Sequence, residues 1–179
     1  MPYISEKYTT APESPHNDTE KKAFEMLDRL GISYERVDND VVESMEECKE
    51  LDNALGAEIR KSIFLRNKKK TTLILAVLPA QKQLNSSRIE KALGTSRLSF
   101  ASAELMEQYL SQTPGSASVM GLLNDEDDDV ILVVDQEVAD AEWFGCNSGV
   151  NTEHLKFRTK DLLERFLPAI RHRAVIVEL

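Results

Sequence analysis

Four small residues in the middle of the chain are the first candidates for chemistry. Gly115, Ser116, Ala117 and Ser118 follow a Thr-Pro pair and stand between two apolar stretches. A Pro-Gly step is ordinary turn chemistry. Small side chains also leave successive backbone N–H groups open to a ligand oxygen, as in an oxyanion hole. The same residues therefore predict either a plain turn or an anion site.

A lysine within an apolar stretch is the second candidate. Lys61 lies in a predicted strand, and strand alternation puts its side chain on the same face as Ile59 and Ile63. The side chain could extend its ammonium group from the sheet edge into solvent. It could instead point the cation into a pocket, where the cation would bind phosphate or polarise a carbonyl.

A second small, polar turn, within residues 145–155, follows another predicted strand. Its Cys146 could be a nucleophile, but no neighbouring histidine or aspartate defines that role. The chain has no CxxC, no HExxH and no Cys/His spacing typical of zinc sites. We therefore expect no metal and no cofactor.

Composition and charge restrict the classes of partner. Apolar residues make up 41% and charged residues 30% of the 179 residues, which is typical of one globular domain. The net charge of -9 argues against binding to DNA or membranes through overall charge. Neither a membrane span nor a signal peptide is visible, and two unpaired cysteines favour a reducing cytoplasm.

One short segment is basic, although the net charge of the chain is negative. Lys68, Lys69 and Lys70 follow Asn67 between two predicted strands. They indicate either a solvated hairpin tip or a weak contact with RNA phosphates. Residues 156–160 offer a second basic region for the same contact.

The surrounding pattern predicts an α/β (α+β) chain. Residues 1–16 contain three prolines and few large apolar residues, which predicts a loose, flexible N-terminal arm before a single domain over residues 17–179. Capping pairs at Asn17, Ser44 and Ser87 each precede a helical pattern. Residues 71–78 are almost continuously apolar and predict a central strand. Helices should flank one mixed central sheet.

The order of five segments resembles one family. KSIFLRNKKK, RLSFASAELM, PGSASVMGLLND, VILVVDQEV and VNTEHLKFRTKDLLERFL follow one another as in the YbaK/ProX family of aminoacyl-tRNA editing domains, which are related to the prolyl-tRNA synthetase insertion domain. The resemblance runs from about Asp18 to Leu179. It implies a mixed sheet flanked by helices and metal-free hydrolysis of a wrong amino acid from tRNA, often tRNA for proline.

The resemblance also implies roles for individual residues. Lys61 would be the pocket lysine, the backbone amides of the small-residue loop would surround the substrate carbonyl, and Asn147 would orient water or substrate. The remaining substrate contacts would come from Ser62, Val119, Ser148, Gly149 and Asn151. The sequence departs from the family pattern in three ways: Ser62 replaces an Asn, Val119 replaces a Pro, and the pair Asn147-Ser148 replaces a His-Pro pair.

Two hypotheses follow. The first is a trans-editing hydrolase that binds the acceptor end of mischarged tRNA, with a synthetase or an elongation factor as a further partner. The second is a non-catalytic sensor of amino acids or aminoacyl-tRNA that uses the same pocket. Lys61 and the small-residue loop favour the enzyme, and the three departures favour the sensor.

Overall fold

The computed structural model describes all residues from Met1 to Leu179. Its helices are α1 (Asp18–Arg29), α2 (Met45–Leu55), α3 (Ser86–Leu93), α4 (Ala103–Leu110), a 3₁₀ helix (Val119–Asn124), α5 (Gln136–Asp140), and α6 (Thr159–Asp161), which continues through a π-helical turn (Leu162–Phe166) into α7 (Leu167–Ala169). Its strands are β1 (Glu35–Asp38), β2 (Lys61–Asn67), β3 (Leu73–Leu78), β4 (Leu98–Phe100), β5 (Val130–Asp135), β6 (Trp143–Asn147), β7 (Glu153–Arg158) and β8 (Ala174–Val177).

The central sheet has five strands in the order β4-β2-β3-β5-β8. β2 pairs antiparallel with β3 and β4, whereas β3, β5 and β8 run parallel. The predicted mixed sheet and the hairpin between β2 and β3 are therefore confirmed. All six residues of β3 are buried, as expected for a strand whose two faces are both covered.

A second sheet, which the sequence pattern did not predict, has three antiparallel strands in the order β1-β7-β6. It meets the central sheet at one parallel bridge between Ile59 and Gly145. Gly145 makes this approach possible, because a Cβ atom there would lie 2.6 Å from the carbonyl oxygen of Glu58. The bridge brings the beginning of β2 next to the middle of β6.

The two faces of the central sheet bury different cores. The larger core includes Phe64 and Val77 of the sheet together with Phe144 and Phe157 of the second sheet. The smaller core, on the opposite face, includes Leu65 and packs under α3. Because neighbouring strand residues alternate between faces, each residue of β2 can be assigned to one core or the other.

The N-terminal arm is docked along the edge of the second sheet, in contrast to the loose arm predicted. Tyr8 and Arg36 exchange two backbone hydrogen bonds of 2.8 Å. The Arg36 guanidinium lies 4.6 Å from the centre of the Tyr8 ring and donates to the carbonyl of Thr10. The arm thus satisfies backbone groups of an edge strand that would otherwise be open.

Two of the three predicted helix caps are confirmed. Asn17 accepts from the Glu20 N–H, and Ser44 forms a reciprocal capping box with its partner three residues on. The prediction at Ser87 is wrong, because α3 begins at Ser86 and the Glu90 carboxylate instead accepts from the N–H of Leu98. None of the helices is both long and apolar enough to cross a membrane.

Candidate functional site

The serines of the small-residue loop hold its shape. Ser116 donates its backbone N–H and its hydroxyl to the carbonyl of Thr113, at 2.9 Å each. Ser118 caps the 3₁₀ helix by accepting from Met120 N–H at 3.2 Å. The side chain of Gln112 accepts from the Ser118 N–H at 3.0 Å and donates to its hydroxyl. The side chains of Ser116, Ser118 and Gln112 therefore already make hydrogen bonds within the protein.

The glycine and the alanine of the loop leave donors free. Gly115 has a φ of +89°, a conformation that glycine adopts without strain, and a Cβ atom there would meet nothing within 4 Å. The backbone N–H groups of Gly115 and Ala117 make no hydrogen bond within the protein. Two N–H groups separated by one residue can bind one anionic oxygen.

Asn147 connects this loop to the second small turn. Its Nδ2 donates to the carbonyl of Ser116 at 3.1 Å, and its Oδ1 accepts from Gly149 N–H at 2.9 Å. The side chain is only 8% exposed. The structure thus brings together the two segments that the sequence predicted to cooperate, although they lie about thirty residues apart along the chain.

The second turn is fixed by α1 and by a buried histidine. Asn17 donates to the carbonyl of Gly149 at 3.2 Å, and a Cβ atom on that glycine would crowd the first turn of α1. Asn39 donates to the carbonyl of Asn151 and accepts from Nδ1 of His154 at 2.8 Å. Burial lowers the pKa of His154 to about 4, so its ring is neutral at physiological pH.

A cavity of about 180 Å³ lies between the loop and the turn. Hydroxyl and amide side chains dominate its wall, and none of its lining residues carries a charge; they are Asn17, Ser111, Gln112, Thr113, Ser116, Gly149, Val150 and Asn151. Three of these residues, Ser116, Gly149 and Asn151, were predicted from the sequence. A neutral, polar cavity of this size can hold a small polar molecule.

The predicted meeting of Lys61 with the loop is not present in the structure. The Nζ of Lys61 donates to the backbone carbonyl of Lys82, and Lys61 does not line the cavity. Lys61 lies opposite Leu78 in the hairpin, on the face that belongs to the smaller core. The alternation of β2 therefore directs this side chain away from the face on which the loop packs.

Three other predicted substrate contacts also lie outside the cavity wall. Val119 is fully buried in the larger core, because it begins the 3₁₀ helix beneath the loop. Ser148 is fully buried and its N–H donates to the carbonyl of Glu153. Ser62 lies opposite Val77, on the face of β2 that belongs to the larger core, and is half-buried.

The basic segments occupy other parts of the surface. Lys68, Lys69 and Lys70 form the exposed tip of the hairpin, at the far end of β2 and roughly 20 Å from Lys61 at about 3.3 Å per residue. Lys156 is largely buried, with its Nζ 3.3 Å from a Glu35 carboxylate oxygen. An RNA contact through Lys156 is therefore not available in this structure.

Cys146 does not have the environment of a nucleophile. It is buried among the apolar side chains of the larger core, and burial raises the pKa of its thiol. A nucleophilic cysteine needs a nearby cation or a helix N-terminus to favour its thiolate. The thiol is a packing group.

Beneath the turn lies a pair of carboxyl groups. Glu20 of α1 and Glu153 of β7 are fully buried beside each other, and Nη1 of Arg36 lies 3.0 Å from Oε2 of Glu153. Burial, and then the contact with Glu20, raises the pKa of Glu153 to about 8. Burial opposes ionisation of Glu20, but hydrogen bonds from Glu153 and His16 outweigh it and lower the pKa of Glu20. At neutral pH the pair holds one proton, on Glu153.

This pair predicts that the protein loses stability as the pH rises from 4.5 to about 8. The folded protein keeps a proton on Glu153 that the unfolded chain, with an ordinary carboxyl pKa of 4.5, has already released. The stabilisation is therefore complete below that value, decreases steadily above it, and is lost once the pH passes about 8. Glu153→Gln, which keeps a donor but cannot titrate, should flatten the fall in melting temperature between pH 4.5 and about 8.

The control for this measurement is Glu25→Gln, which changes an exposed carboxylate on the same helix as Glu20. It should follow the wild-type dependence on pH. If the melting temperatures of wild type and Glu153→Gln depend on pH in the same way, the buried pair does not hold a proton at neutral pH.

Several lining residues were not predicted. Gln112 and Thr113 immediately precede the Pro-Gly step, and a polar run at that place was a usable signal. The structure also explains Gly121, because a Cβ atom there would overlap Oε1 of Gln112, the atom that accepts from the Ser118 N–H. Asn17 had been assigned only as a helix cap, and nothing in the sequence linked it to a turn 132 residues away.

Comparison with known proteins finds relatives by sequence and a solved structure with a similar fold. The chain is 28% identical to the prolyl-tRNA editing protein ProX of Acetoanaerobium sticklandii over 145 residues, which cover 81% of this chain and 88% of that protein. It is 26% identical to prolyl-tRNA synthetase associated domain-containing protein 1 of Danio rerio over 162 residues, which cover 89% and 87%. A solved structure, the hypothetical protein APE2540, superposes with a TM-score of 0.65 at 18% identity and covers 87% of this chain and 98% of its own.

A family model extends the comparison to the site itself. The model of the aminoacyl-tRNA editing domain matches residues 40–164, well over half of the chain. The matched region contains the small-residue loop, Asn147 and the second turn, the elements that enclose most of the cavity. Because the match covers more than half of the chain, including the loop and the turn that form this site, the chain belongs to the aminoacyl-tRNA editing domain family.

Proposed function

We propose that this protein is a trans-editing hydrolase that removes a wrong amino acid from tRNA, with tRNA for proline carrying a small amino acid as its substrate class. The observation that carries the proposal is the pair of free N–H groups on Gly115 and Ala117, which flank Ser116 in the wall of a small polar cavity, in a member of the editing family. A relative named as a prolyl-tRNA editing protein supports the choice of tRNA. The reaction belongs to translation in the cytoplasm.

The chemistry required of these residues is modest, because an aminoacyl ester is already activated. A water oxygen attacks the ester carbon, the C–O bond to the ribose breaks, and the proton of the water passes to the leaving ribose oxygen. The N–H groups of Gly115 and Ala117 stabilise the oxyanion that forms, at roughly 3 kcal/mol for each donor. Neutral amide and hydroxyl groups of the cavity orient the water.

The size of the cavity supports a small amino acid. At roughly 30 Å³ for each water molecule, a volume of about 180 Å³ corresponds to about six waters. Exclusion by volume discriminates one methylene group by about 1–3 kcal/mol. We infer that larger cognate amino acids are rejected by volume and that smaller ones are accepted.

Weak intrinsic affinity for RNA follows from the net charge of -9. A synthetase or an elongation factor that presents the aminoacyl end would compensate for this repulsion. The hairpin tip formed by Lys68, Lys69 and Lys70 is the exposed basic segment that could contact the phosphates of the same tRNA.

The decisive experiment measures release of amino acids from a panel of mischarged tRNAs by wild type and Gly115→Ala. Alanine at a φ of +89° is strained by about 1–2 kcal/mol, and relief of that strain reorients the loop N–H groups. We expect hydrolysis of the best substrate to fall about tenfold or more, since each 1.36 kcal/mol corresponds to tenfold in rate.

Gly94→Ala is the matched control, because Gly94 also has a positive φ, of +64°, and open space around its Cα, but caps α3. It should keep full activity. Saturable binding of aminoacyl-tRNA without release of any amino acid would instead favour the sensor. Lys61→Ala belongs in the same assay: a loss of activity would require the lysine to leave the Lys82 carbonyl during the reaction.

A further inference from the structure

Positive charge is concentrated in one part of this acidic chain. Residues 60–102 contain ten of the 22 basic residues and one of the 31 acidic residues, so this segment carries a net charge of +9 within a chain of net charge -9. The segment forms β2, β3, α3 and β4. The end of the central sheet that carries β4, together with the helix that packs on it, is therefore basic.

Most of these cations have no acidic partner within the protein. Arg60 and Lys82 form salt bridges with nearby carboxylates. Six further cations are exposed and form no salt bridge: Lys68, Lys69 and Lys70 at the hairpin tip, Arg88 and Lys91 of α3, and Arg97 just before β4. Unpaired cations gathered on one surface are typical of a site that binds a polyanion.

An open aromatic ring lies on the same surface. Phe100 ends β4, an edge strand of the central sheet, and is 72% exposed, more than any other large apolar side chain except Met1. Its side chain shares a face with Leu98 and with its strand partner Leu65, which both belong to the smaller core under α3. The ring makes no aromatic or cation–π contact within the protein. It is therefore free to stack with a flat partner.

The pairing of β2 with β4 sets the distance between this ring and the cations. Phe100 pairs with Leu65, and the ladder ends two pairs further on, at Asn67. The hairpin tip begins at the next residue of β2, and Arg97 is the residue before β4. Both lie three residues from the Phe100 pair, roughly 10 Å at about 3.3 Å per residue. Long basic side chains at that distance can contact the phosphates next to a base that stacks on the ring.

We propose that Phe100, the hairpin tip, Lys91 and Arg97 form a binding surface for tRNA, the basic edge, on which an unpaired base stacks on Phe100 and the cations contact the neighbouring phosphates. The proposal rests on the proposed function, which makes tRNA the partner. The charges alone would also suit an acidic peptide. The bare ring beside them favours a chain of bases and phosphates, because cations with an exposed aromatic side chain are typical of single-stranded nucleic-acid binding.

The basic edge is connected to the candidate site by α4. The chain passes from Phe100 into α4 at Ala103, and Ser111, which follows the last residue of α4, lines the cavity. A helix of eight residues is about 12 Å long at 1.5 Å per residue. A few unpaired nucleotides span that distance, so a tRNA whose esterified end enters the cavity can place an earlier unpaired base on Phe100. The remainder of the chain is acidic and would repel the RNA in other orientations.

The test measures binding of fluorescently labelled, uncharged tRNA to the full chain by anisotropy. Phe100→Ala should weaken binding about tenfold, the size expected for the loss of one stacked base. Phe100→Tyr keeps an aromatic face and should bind as wild type does, whereas Phe100→Leu keeps only apolar area and should bind as weakly as Phe100→Ala. Tyr3→Ala removes an exposed aromatic ring outside the basic edge and should bind as wild type does.

The dependence of binding on salt tests the cations. Lys91→Gln and Arg97→Gln should each reduce the slope of log Kd against log salt concentration by about one, the effect of losing one phosphate contact. Lys49→Gln removes an exposed lysine of α2 and should leave the slope unchanged. On tRNA trimmed of its unpaired acceptor end, Phe100→Ala and wild type should bind equally, because the base that stacks on the ring has been removed.

Wild-type affinity in Phe100→Ala or Phe100→Leu would overturn the proposal, as would an unchanged salt slope in both Lys91→Gln and Arg97→Gln; the surface would then fit an acidic protein partner. The outcome is independent of hydrolysis, because uncharged tRNA carries no ester. Binding through the basic edge without release of any amino acid from mischarged tRNA would refute the proposed function alone. Hydrolysis by a protein whose tRNA affinity does not depend on Phe100 would refute the basic edge alone.

Discussion

Gly145→Ala is expected to lower the free energy of unfolding by about 3 kcal/mol. Gly145 lies where β6 crosses the beginning of β2, and its carbonyl accepts from the N–H of Arg60 at 2.9 Å. A Cβ atom would stand 2.6 Å from the Glu58 carbonyl oxygen and 3.2 Å from the Ile59 Cα. Both obstacles are backbone, so no side-chain rotation relieves the clash and the two sheets must separate locally.

Chemical denaturation of wild type and variant measures this loss, with Gly31→Ala as the comparison. A Cβ atom added at Gly31 would meet no other atom within 4 Å. Only the φ of +65° makes alanine unfavourable there. Its expected cost is about 1–2 kcal/mol. If Gly145→Ala costs no more than Gly31→Ala, the two sheets do not approach each other as closely as the structure shows.

Local patterns in the sequence were sufficient for most elements of the fold. The apolar run of β3 predicted a central strand, and the basic turn before it predicted the hairpin. The resemblance to the YbaK/ProX family is confirmed by the family model and by the relatives. The division into two sheets was not predictable, because it depends on the single close contact at Gly145, and one glycine within a strand has many explanations.

The sequence predicted which segments form the candidate site, but not the hydrogen bonds that their individual groups make. Small residues predicted an open backbone, and the structure leaves the N–H groups of Gly115 and Ala117 free. Sequence alone could not tell that Ser116 and Ser118 would be occupied by contacts with their own loop, since those contacts depend on how the loop folds. Lys61 shows a different limit: alternation places a side chain on a face, but the location of the loop relative to that face is a tertiary property.

Asn147→Ala is expected to reduce hydrolysis of mischarged tRNA by roughly 10²–10³, the usual effect of losing one oxyanion donor. Asn147 touches the loop and the turn but does not line the cavity, so we assign it as a positioning residue. Without its amide, the Ser116 carbonyl and the Gly149 N–H lose their partners, and the flanking N–H groups of Gly115 and Ala117 are no longer held in place. The effect should fall on kcat more than on KM, because oxyanion contacts form only in the transition state.

Two further substitutions separate positioning from simple stability. Asn147→Asp keeps an acceptor for Gly149 N–H but places a carboxylate against the Ser116 carbonyl, so it should be as inactive as the alanine variant. Asn147→His introduces the residue that the resemblance to the YbaK/ProX family implies for this position and still offers a ring N–H to the same carbonyl, so it should recover part of the rate. Melting temperatures of all three variants measure the structural contribution separately. Full activity of Asn147→Asp at an unchanged melting temperature would show that the bridge between loop and turn does not position the oxyanion donors.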